Sequence, residues 1–218
     1  MPHADTRAER RLWDISQPLR TGMPAWPGDT PFEAQNVWAM GPETPVNVGR
    51  FATSVHNGAH ADAPLHYTAG GASAGDYDLS VYLGPCRLID LAGVAGRVEA
   101  ADLAPHLAGA PPRILIRTYE RFPHETWDSD FAAIAPEAIE LLADHGVILI
   151  GVDTASLDPE QSKTMDAHRA VARRGLAILE GLVLEAAPAG DYELIALPLN
   201  LPGLDAAPVR AVLRELAR

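Results

Sequence analysis

Short apolar runs rich in Val, Ile and Leu alternate with segments of helical periodicity along this chain, and Gly, Pro or Asp separates them. Apolar runs of this kind are typical of buried strands. They predict strands at residues 12–16, 46–56, 81–91, 114–118, 147–152, 176–180 and 192–197. The helical pattern predicts helices at residues 101–107, 136–145, 166–174 and 207–216. The alternation indicates a mixed α/β fold.

Length and charge limit the organisation and the partners of the chain. Of its 218 residues, 47% are hydrophobic, enough to fill one core, so we expect a single domain over residues 1–218. The formal net charge of −12 would repel nucleic acid and anionic membranes, and we expect neither as a partner. Small molecules and other proteins remain.

The cysteine content and the first residues of the chain predict its cellular compartment. Cys86 is the only cysteine, so no intrachain disulfide can form and no oxidising compartment is required. The polar start leads to no apolar signal region, and no apolar run is long enough to span a bilayer. We expect a cytoplasmic protein.

Residues 56–66 concentrate possible metal ligands. In an extended chain, every second side chain points to the same face. That face would carry glycine, proline and four polar residues: His56, Gly58, His60, Asp62, Pro64 and His66. The other face, of alanine and leucine, suits packing against a core. A helix is the poorer alternative, because the glycine and the proline would both stand in its interior.

The spacing within this segment requires a bend. A straight strand would hold the Cα atoms of His56 and His60 roughly 13 Å apart, too far for both imidazoles to bind one ion. We therefore expect the chain to turn near Asn57 and Gly58, because glycine tolerates a bulged or left-handed backbone.

The polar face predicts a metal site. A single histidine beside a strand is ordinarily hydrogen-bonded or on the surface. Three histidines and an aspartate on one face have no packing rationale, and burying them unpaired would cost several kcal/mol in total. Imidazole nitrogen and carboxylate oxygen are ligands for zinc, manganese and similar ions, so we expect metal binding here.

Three residues further along the chain are additional candidates. Glu180 interrupts an apolar run, where a carboxylate needs a cation or several donors. His168 lies in the first turn of a predicted helix and by itself would be a helix-surface residue. Asp153 ends the apolar run 147–152 and is either a strand-end cap or part of a site.

The pattern His56-x-Gly58-x-His60-x-Asp62-x-Pro64-x-His66 resembles the signature of the cyclase-like metal hydrolases. Within that family, the chain is most similar to the bacterial kynurenine formamidases. The similarity extends over nearly the whole length, in the segments Asp14–Leu19, Trp26–Pro31, Tyr82–Cys86, Asp153–Asp158 and Ser162–His168. Ala59 stands where the wider family more often has Thr, on the face away from the ligands.

The resemblance implies a fold, an assembly and a ligand set. The fold would be a single swivelling β/β/α domain, with a mixed sheet and outer helices, assembled as a homodimer. Two divalent ions per subunit, with zinc the usual ion, would be bound in two groups. His56, His60 and Asp62 would hold the first, and Asp62, His168 and Glu180 the second, with Asp62 bridging.

The resemblance also implies hydrolysis of N-formyl-L-kynurenine to L-kynurenine and formate in tryptophan degradation, an arylformamidase activity. His66 shares the ligand face but is not needed as a ligand, which makes it the expected general acid/base. Trp26, in a loop rich in Pro and Gly, would pack on the benzene ring of the substrate or else anchor its own loop. The alternatives are another amide or cyclic-amide hydrolase of the family, such as an isatin hydrolase, and a non-catalytic metal-binding protein.

Overall fold

The computed structural model describes residues 10–217, so residues 1–9 and 218 of the predicted domain lie outside it. The described part contains thirteen strands: β1 Leu12–Asp14, β2 Glu33–Trp38, β3 Val48–Ala52, β4 His60–Asp62, β5 Leu83–Asp90, β6 Arg97–Val98, β7 Arg113–Arg117, β8 Ala133–Ile134, β9 Leu149–Val152, β10 Ala177–Glu180, β11 Gly190–Ile195, β12 Ala206–Pro208 and β13 Val212–Glu215. The α-helices are α1 Pro64–Tyr67, α2 Ala100–Leu103, α3 Pro136–Asp144 and α4 Asp166–Arg174. Between residues 10 and 217, no helix is both long and apolar enough to cross a membrane.

Nine strands form one mixed sheet, in the order β1-β13-β11-β5-β7-β9-β10-β4-β12. The four in the middle, from β5 to β10 in that order, run parallel. Helices α2, α3 and α4 lie in the connections between these parallel strands, as crossover connections require. The strands on either side pair antiparallel. This is the α/β architecture that the sequence predicts.

The sheet separates two apolar cores. In β7, Ile114 and Ile116 face α2, α3 and α4, whereas Leu115 faces the other core. Burial on both faces explains why the central strands are continuously apolar in the sequence. The second core joins Trp13 at one end of the sheet to Ala61 near the other end. The sheet therefore curls around this core.

The predicted helix at residues 207–216 is wrong, because this part of the chain forms β12 and β13. Ala, Leu, Arg and Glu favour helices, but propensity is weak compared with tertiary pairing. Strand β13 hydrogen-bonds to β1 on one side and to β11 on the other. Its Leu213 is completely buried in the core inside the curled sheet. Pairing from distant parts of the chain decided the structure here.

The remaining differences are smaller. The predicted strand at residues 46–56 is reduced to β3, which pairs with β2 in a separate hairpin. The helix predicted at residues 101–107 is α2 followed by a 3₁₀ turn at Ala104–His106. Besides β12 and β13, three strands were not predicted: β2 and the two-residue strands β6 and β8. The other predicted elements are present with bounds shifted by a few residues.

Candidate active site

The segment 56–66 bends as predicted near Gly58 but does not continue as one strand. Gly58 has a φ of 71°, in the left-handed region that glycine tolerates. Only residues 60–62 are extended, as β4. At Pro64 the chain enters α1, where the missing N–H of proline costs no helical hydrogen bond. The expectation that His66 extends a strand face is therefore wrong, because His66 lies on α1.

Strand pairing places Glu180 beside the histidine segment. In the antiparallel pair of β10 and β4, Glu180 is opposite His60. The next residue, Gly181, has a φ of 65°, and a Cβ there would collide with the carbonyl oxygen of Gly58. Two glycines thus let the two segments approach closely enough for their polar side chains to meet.

Four buried side chains form the centre of the site: His60, Asp62, His168 and Glu180. The Nε2 atom of His60 lies 3.3 Å from Asp62 Oδ1 and 3.4 Å from Glu180 Oε2. The Nε2 atom of His168 lies 3.3 Å from Asp62 Oδ2 and 3.6 Å from Glu180 Oε1. Each carboxylate therefore faces both imidazoles.

The opposite nitrogen of each ring is held by a hydrogen bond. His60 Nδ1 donates to the Gly58 carbonyl oxygen at 2.9 Å, and His168 Nδ1 donates to Asp158 Oδ2 at 2.7 Å. With its proton on Nδ1, a neutral imidazole presents a lone pair at Nε2. Both lone pairs then point at carboxylate oxygens, which are also acceptors. Such an arrangement needs a proton or a metal cation between the two acceptors.

Two atoms of this cluster fit a cation directly. His60 Nε2 and Asp62 Oδ1 are buried and have no hydrogen-bond partner among residues 10–217. Burial by itself lowers the pKa of His60, but the neighbouring Asp62 and Glu180 carboxylates raise it to about 10. For His168, Asp158 and Asp62 likewise outweigh burial and raise the pKa to about 10. The negative charge that retains these protons is the charge that a divalent cation would neutralise.

In the described part of the chain, ligand atoms come together in two overlapping groups, each within 4.8 Å: His60, Asp62 and Glu180, and His56, Asp62 and His66. Asp62 belongs to both, as a bridging ligand would. The resemblance divides the ligands differently, and that assignment stays a prediction. His66, expected to be a spare acid/base, lies close enough to be a ligand as well.

Two further carboxylates support the site, and the sequence reasoning did not identify either. Asp158 accepts from the backbone N–H groups of Ala167 and His168, so it holds both the start of α4 and the His168 ring. Asp205 Oδ2 lies 3.1 Å from His56 Nε2 and 3.1 Å from His66 Nδ1. Asp158 is within a segment that carries the family resemblance, whereas no local pattern distinguishes Asp205.

Asp153 has a supporting position at the edge of the site. Its buried carboxylate accepts from the backbone N–H groups of Thr118 and Tyr119 and from the Thr118 hydroxyl. Burial raises its pKa to about 6 against the effect of these donors. The Asp153 carboxylate thus holds the loop that follows β7 in place. Asp153 also lines a cavity beside the site.

A cavity of about 540 Å³ adjoins the cluster, with His56, His60 and His66 in its wall. This volume is within the usual range for small-molecule sites, about 300–1,000 Å³. Trp26 lines the cavity and packs edge-on against Trp127, with ring centroids 5.4 Å apart. Trp26 therefore packs within its own loop region and presents an aromatic surface to the cavity, whereas its contact with a substrate stays a prediction.

Comparison with known proteins agrees with this geometry. The model of the Cyclase family, described as "Putative cyclase", matches residues 13–159, which include the segment 56–66. A solved structure described as a "Potential Metal-Dependent Hydrolase With Cyclase Activity" has a TM-score of 0.83 and 30% identity, covering 96% of this chain and 100% of that chain.

Two other solved structures share the fold. A predicted metal-dependent hydrolase from Bacillus stearothermophilus has a TM-score of 0.81 and 29% identity, covering 96% of this chain and 100% of its own. Isatin hydrolase A from Labrenzia aggregata, bound to benzyl benzoate, has a TM-score of 0.80 and covers 95% and 94%. At 22% identity it supports the fold alone. The predicted cyclase-like fold is confirmed, and this chain belongs to the Cyclase family.

Proposed function

We propose that this chain is a metal-dependent arylformamidase that hydrolyses N-formyl-L-kynurenine to L-kynurenine and formate. One observation carries the hydrolase part of the proposal. Two imidazoles, each anchored through Nδ1, direct Nε2 at the same pair of buried carboxylates beside a cavity with an aromatic wall. The kynurenine substrate, the place in tryptophan degradation and zinc as the ion come from the family resemblance, and the proposed cytoplasmic location comes from the cysteine content.

The proposed ligands are His56, His60, Asp62, His168 and Glu180. Divalent ions bound there would bring the pKa of a bound water toward neutrality and polarise a carbonyl group. In the hydrolysis, water adds to the formyl carbon and the bond between that carbon and the aryl nitrogen breaks. His66 is proposed to accept a proton from the water and to deliver it to the departing nitrogen, because an aryl-amide anion is a poor leaving group.

The cavity wall supports an aromatic substrate that carries an ammonium group. The side chain of Trp26 offers a flat surface to a benzene ring. Among the described residues that line the cavity there is no lysine or arginine, whereas Asp128 and Glu160 stand in its wall. Both are held in place, because Tyr119 donates to Asp128 at 2.9 Å and Trp127 donates to Glu160 at 2.6 Å. The α-ammonium group of formylkynurenine matches this charge, whereas its α-carboxylate has no lysine or arginine partner among these residues.

Turnover of formylkynurenine by protein of known metal content tests the proposal. We expect a higher kcat/KM on N-formyl-L-kynurenine than on isatin, since isatin has no ammonium group for the acidic wall. A preference for isatin would instead favour the cyclic-amide hydrolase alternative.

Chelation of the metal distinguishes an enzyme from a non-catalytic metal-binding protein. A catalytic site is expected to lose activity before the fold unfolds, whereas a purely structural site loses both together.

We also propose the homodimer that the resemblance implies, formed through the hairpin of β2 and β3. The strands of this hairpin pair only with each other among the described residues, and an isolated hairpin is at best marginally stable in water. Several large apolar side chains on and around it are exposed: Val37, Trp38, Met40, Val46 and Phe51. This concentration of exposed apolar side chains in one segment is the observation that supports an interface here.

Replacing Trp38 with glutamate is expected to convert the dimer to a monomer, because the charge would be buried unpaired in the interface. Light scattering coupled to size-exclusion chromatography measures the mass. Leu12→Glu is the matched control, because Leu12 is 59% exposed and Trp38 is 57% exposed, but Leu12 lies in β1. A wild-type monomer, or a dimer that survives Trp38→Glu, would contradict the proposed interface.

A further inference from the structure

The carboxylate of Asp205 joins the two histidines at the open side of the site. Its Oδ2 atom lies 3.1 Å from both His56 Nε2 and His66 Nδ1. The centroids of the two rings are 4.3 Å apart. An ionised carboxylate only accepts hydrogen bonds, so each ring donates to it. The second nitrogen of His56, Nδ1, lies 3.2 Å from Asp62 Oδ1. The four side chains thus form one connected row: Asp62, His56, Asp205 and His66.

The backbone around Asp205 is fixed by the sheet. Strand β12 follows it directly and pairs with β4, with Ala206 opposite Asp62. The Ala63 N–H group donates to the Asp205 carbonyl oxygen at 2.8 Å. This pairing sets Asp205 beside Ala63, the residue that connects β4 to α1. Its position is therefore defined by the same strand that carries His60 and Asp62.

A purely structural role does not account for these contacts. The Asp205 side chain is 41% exposed. Several exposed carboxylates elsewhere in this protein pair with arginine, as Asp191 does with Arg87. Among the described residues, by contrast, the hydrogen-bond partners of the Asp205 carboxylate are the two imidazoles. Carboxylates that accept from the second nitrogen of a catalytic or metal-binding histidine fix its tautomer and orientation.

We propose that Asp205 is a positioning residue that orients His66 for proton transfer and holds His56 in place. Its bond to Nδ1 keeps the His66 proton on that atom and leaves Nε2 free to exchange a proton with the substrate. The part that concerns catalysis rests on the function proposed for His66. The part that concerns the imidazole tautomer does not depend on any substrate.

Long-range ¹H–¹⁵N NMR of the histidine rings tests the tautomer directly. In the wild-type protein we expect His66 to carry its proton on Nδ1, with its signals assigned by their loss in His66→Ala. In Asp205→Ala we expect the Nδ1–H form to give way to a mixture of tautomers. An unchanged His66 tautomer in Asp205→Ala would overturn the proposal, whichever substrate the enzyme accepts.

Kinetics at saturating metal test the connection between the two residues. Asp205→Ala is expected to lower kcat by ~10- to 100-fold with little change in KM, as removal of such carboxylate partners typically does. Asp205→Asn keeps an oxygen that accepts from Nδ1 and should retain more activity. In a His66→Ala background, Asp205→Ala should have almost no further effect on kcat, because residues that act as a unit are not additive.

The control and the contradicting outcomes are specific. Asp191→Ala removes a carboxylate of equal exposure, 40%, far from the site in β11, and should leave kcat unchanged. If Asp205→Ala lowers kcat by the same factor with and without His66, Asp205 does not act through His66 and the proposal fails. If wild-type protein leaves formylkynurenine intact, the proposed function fails, while the NMR result still decides the role of Asp205.

Discussion

His66→Ala is expected to lower the turnover of N-formyl-L-kynurenine by roughly 10²- to 10⁴-fold, the usual contribution of a positioned general acid/base. Its metal content is expected to remain that of the wild type. The physical reason is that the departing aryl nitrogen needs a proton, whereas the centre of the metal site is formed by other residues. Stopped assays at several enzyme concentrations and elemental analysis of the same samples measure both quantities.

His60→Ala provides the contrast, because it should lose metal and activity together. The His60 Nε2 atom faces two buried carboxylates, Asp62 and Glu180, so its removal takes the nitrogen ligand out of this group. Loss of metal from His66→Ala would instead identify His66 as a ligand, consistent with its place in the group with His56 and Asp62. Full activity of His66→Ala would show that His66 takes no part in catalysis.

Glu180→Ala is expected to remove one of the two proposed ions and nearly all activity. Glu180 faces the Nε2 atoms of both His60 and His168. The resemblance places it in the second group of ligands, so His56 and His60 remain to bind the first ion. Elemental analysis after dialysis against a weak chelator measures the number of ions per chain. Equal loss of both ions, or no loss, would contradict this ligand assignment.

Two companion variants separate metal binding from folding. Glu180 also accepts a hydrogen bond from the Leu157 N–H group at 2.8 Å, which alanine cannot replace. Glu180→Gln keeps that acceptor but removes the charge, so it should lose the same ion with a smaller loss of stability. The control is Glu193→Ala, which removes a glutamate of β11 that pairs with Arg214. This variant should retain both ions.

Local pattern alone determined much of the fold. The central parallel strands were predictable because they are buried on both faces, which leaves an uninterrupted apolar run such as Ile114–Ile116. Helices α3 and α4 were predictable from their periodicity and from the glycine that ends each one. The strand β13 was not, because its residues favour a helix and only its pairing with β1 and β11 makes them extended.

The candidate ligands were also visible in the sequence. His56, His60 and Asp62 stand within seven residues, and Glu180 is conspicuous because a carboxylate interrupts an apolar strand. Charged and metal-binding groups in apolar surroundings have no favourable role without a partner. Their residue types therefore indicated a metal site before any contact between them was known. The bend at Gly58 followed from the same argument, because a straight strand keeps the imidazoles apart.

Only the tertiary structure decided how these residues are supported. Asp205 reaches His56 across 149 positions and His66 across 139, through the pairing of β12 with β4. Asp158 reaches the His168 ring because the chain turns back at the start of α4. An aspartate in a loop has the same local signature whether it faces solvent or an imidazole. Which it faces depends on strand register, and register is set by hydrogen bonds between distant segments rather than by neighbours in the sequence.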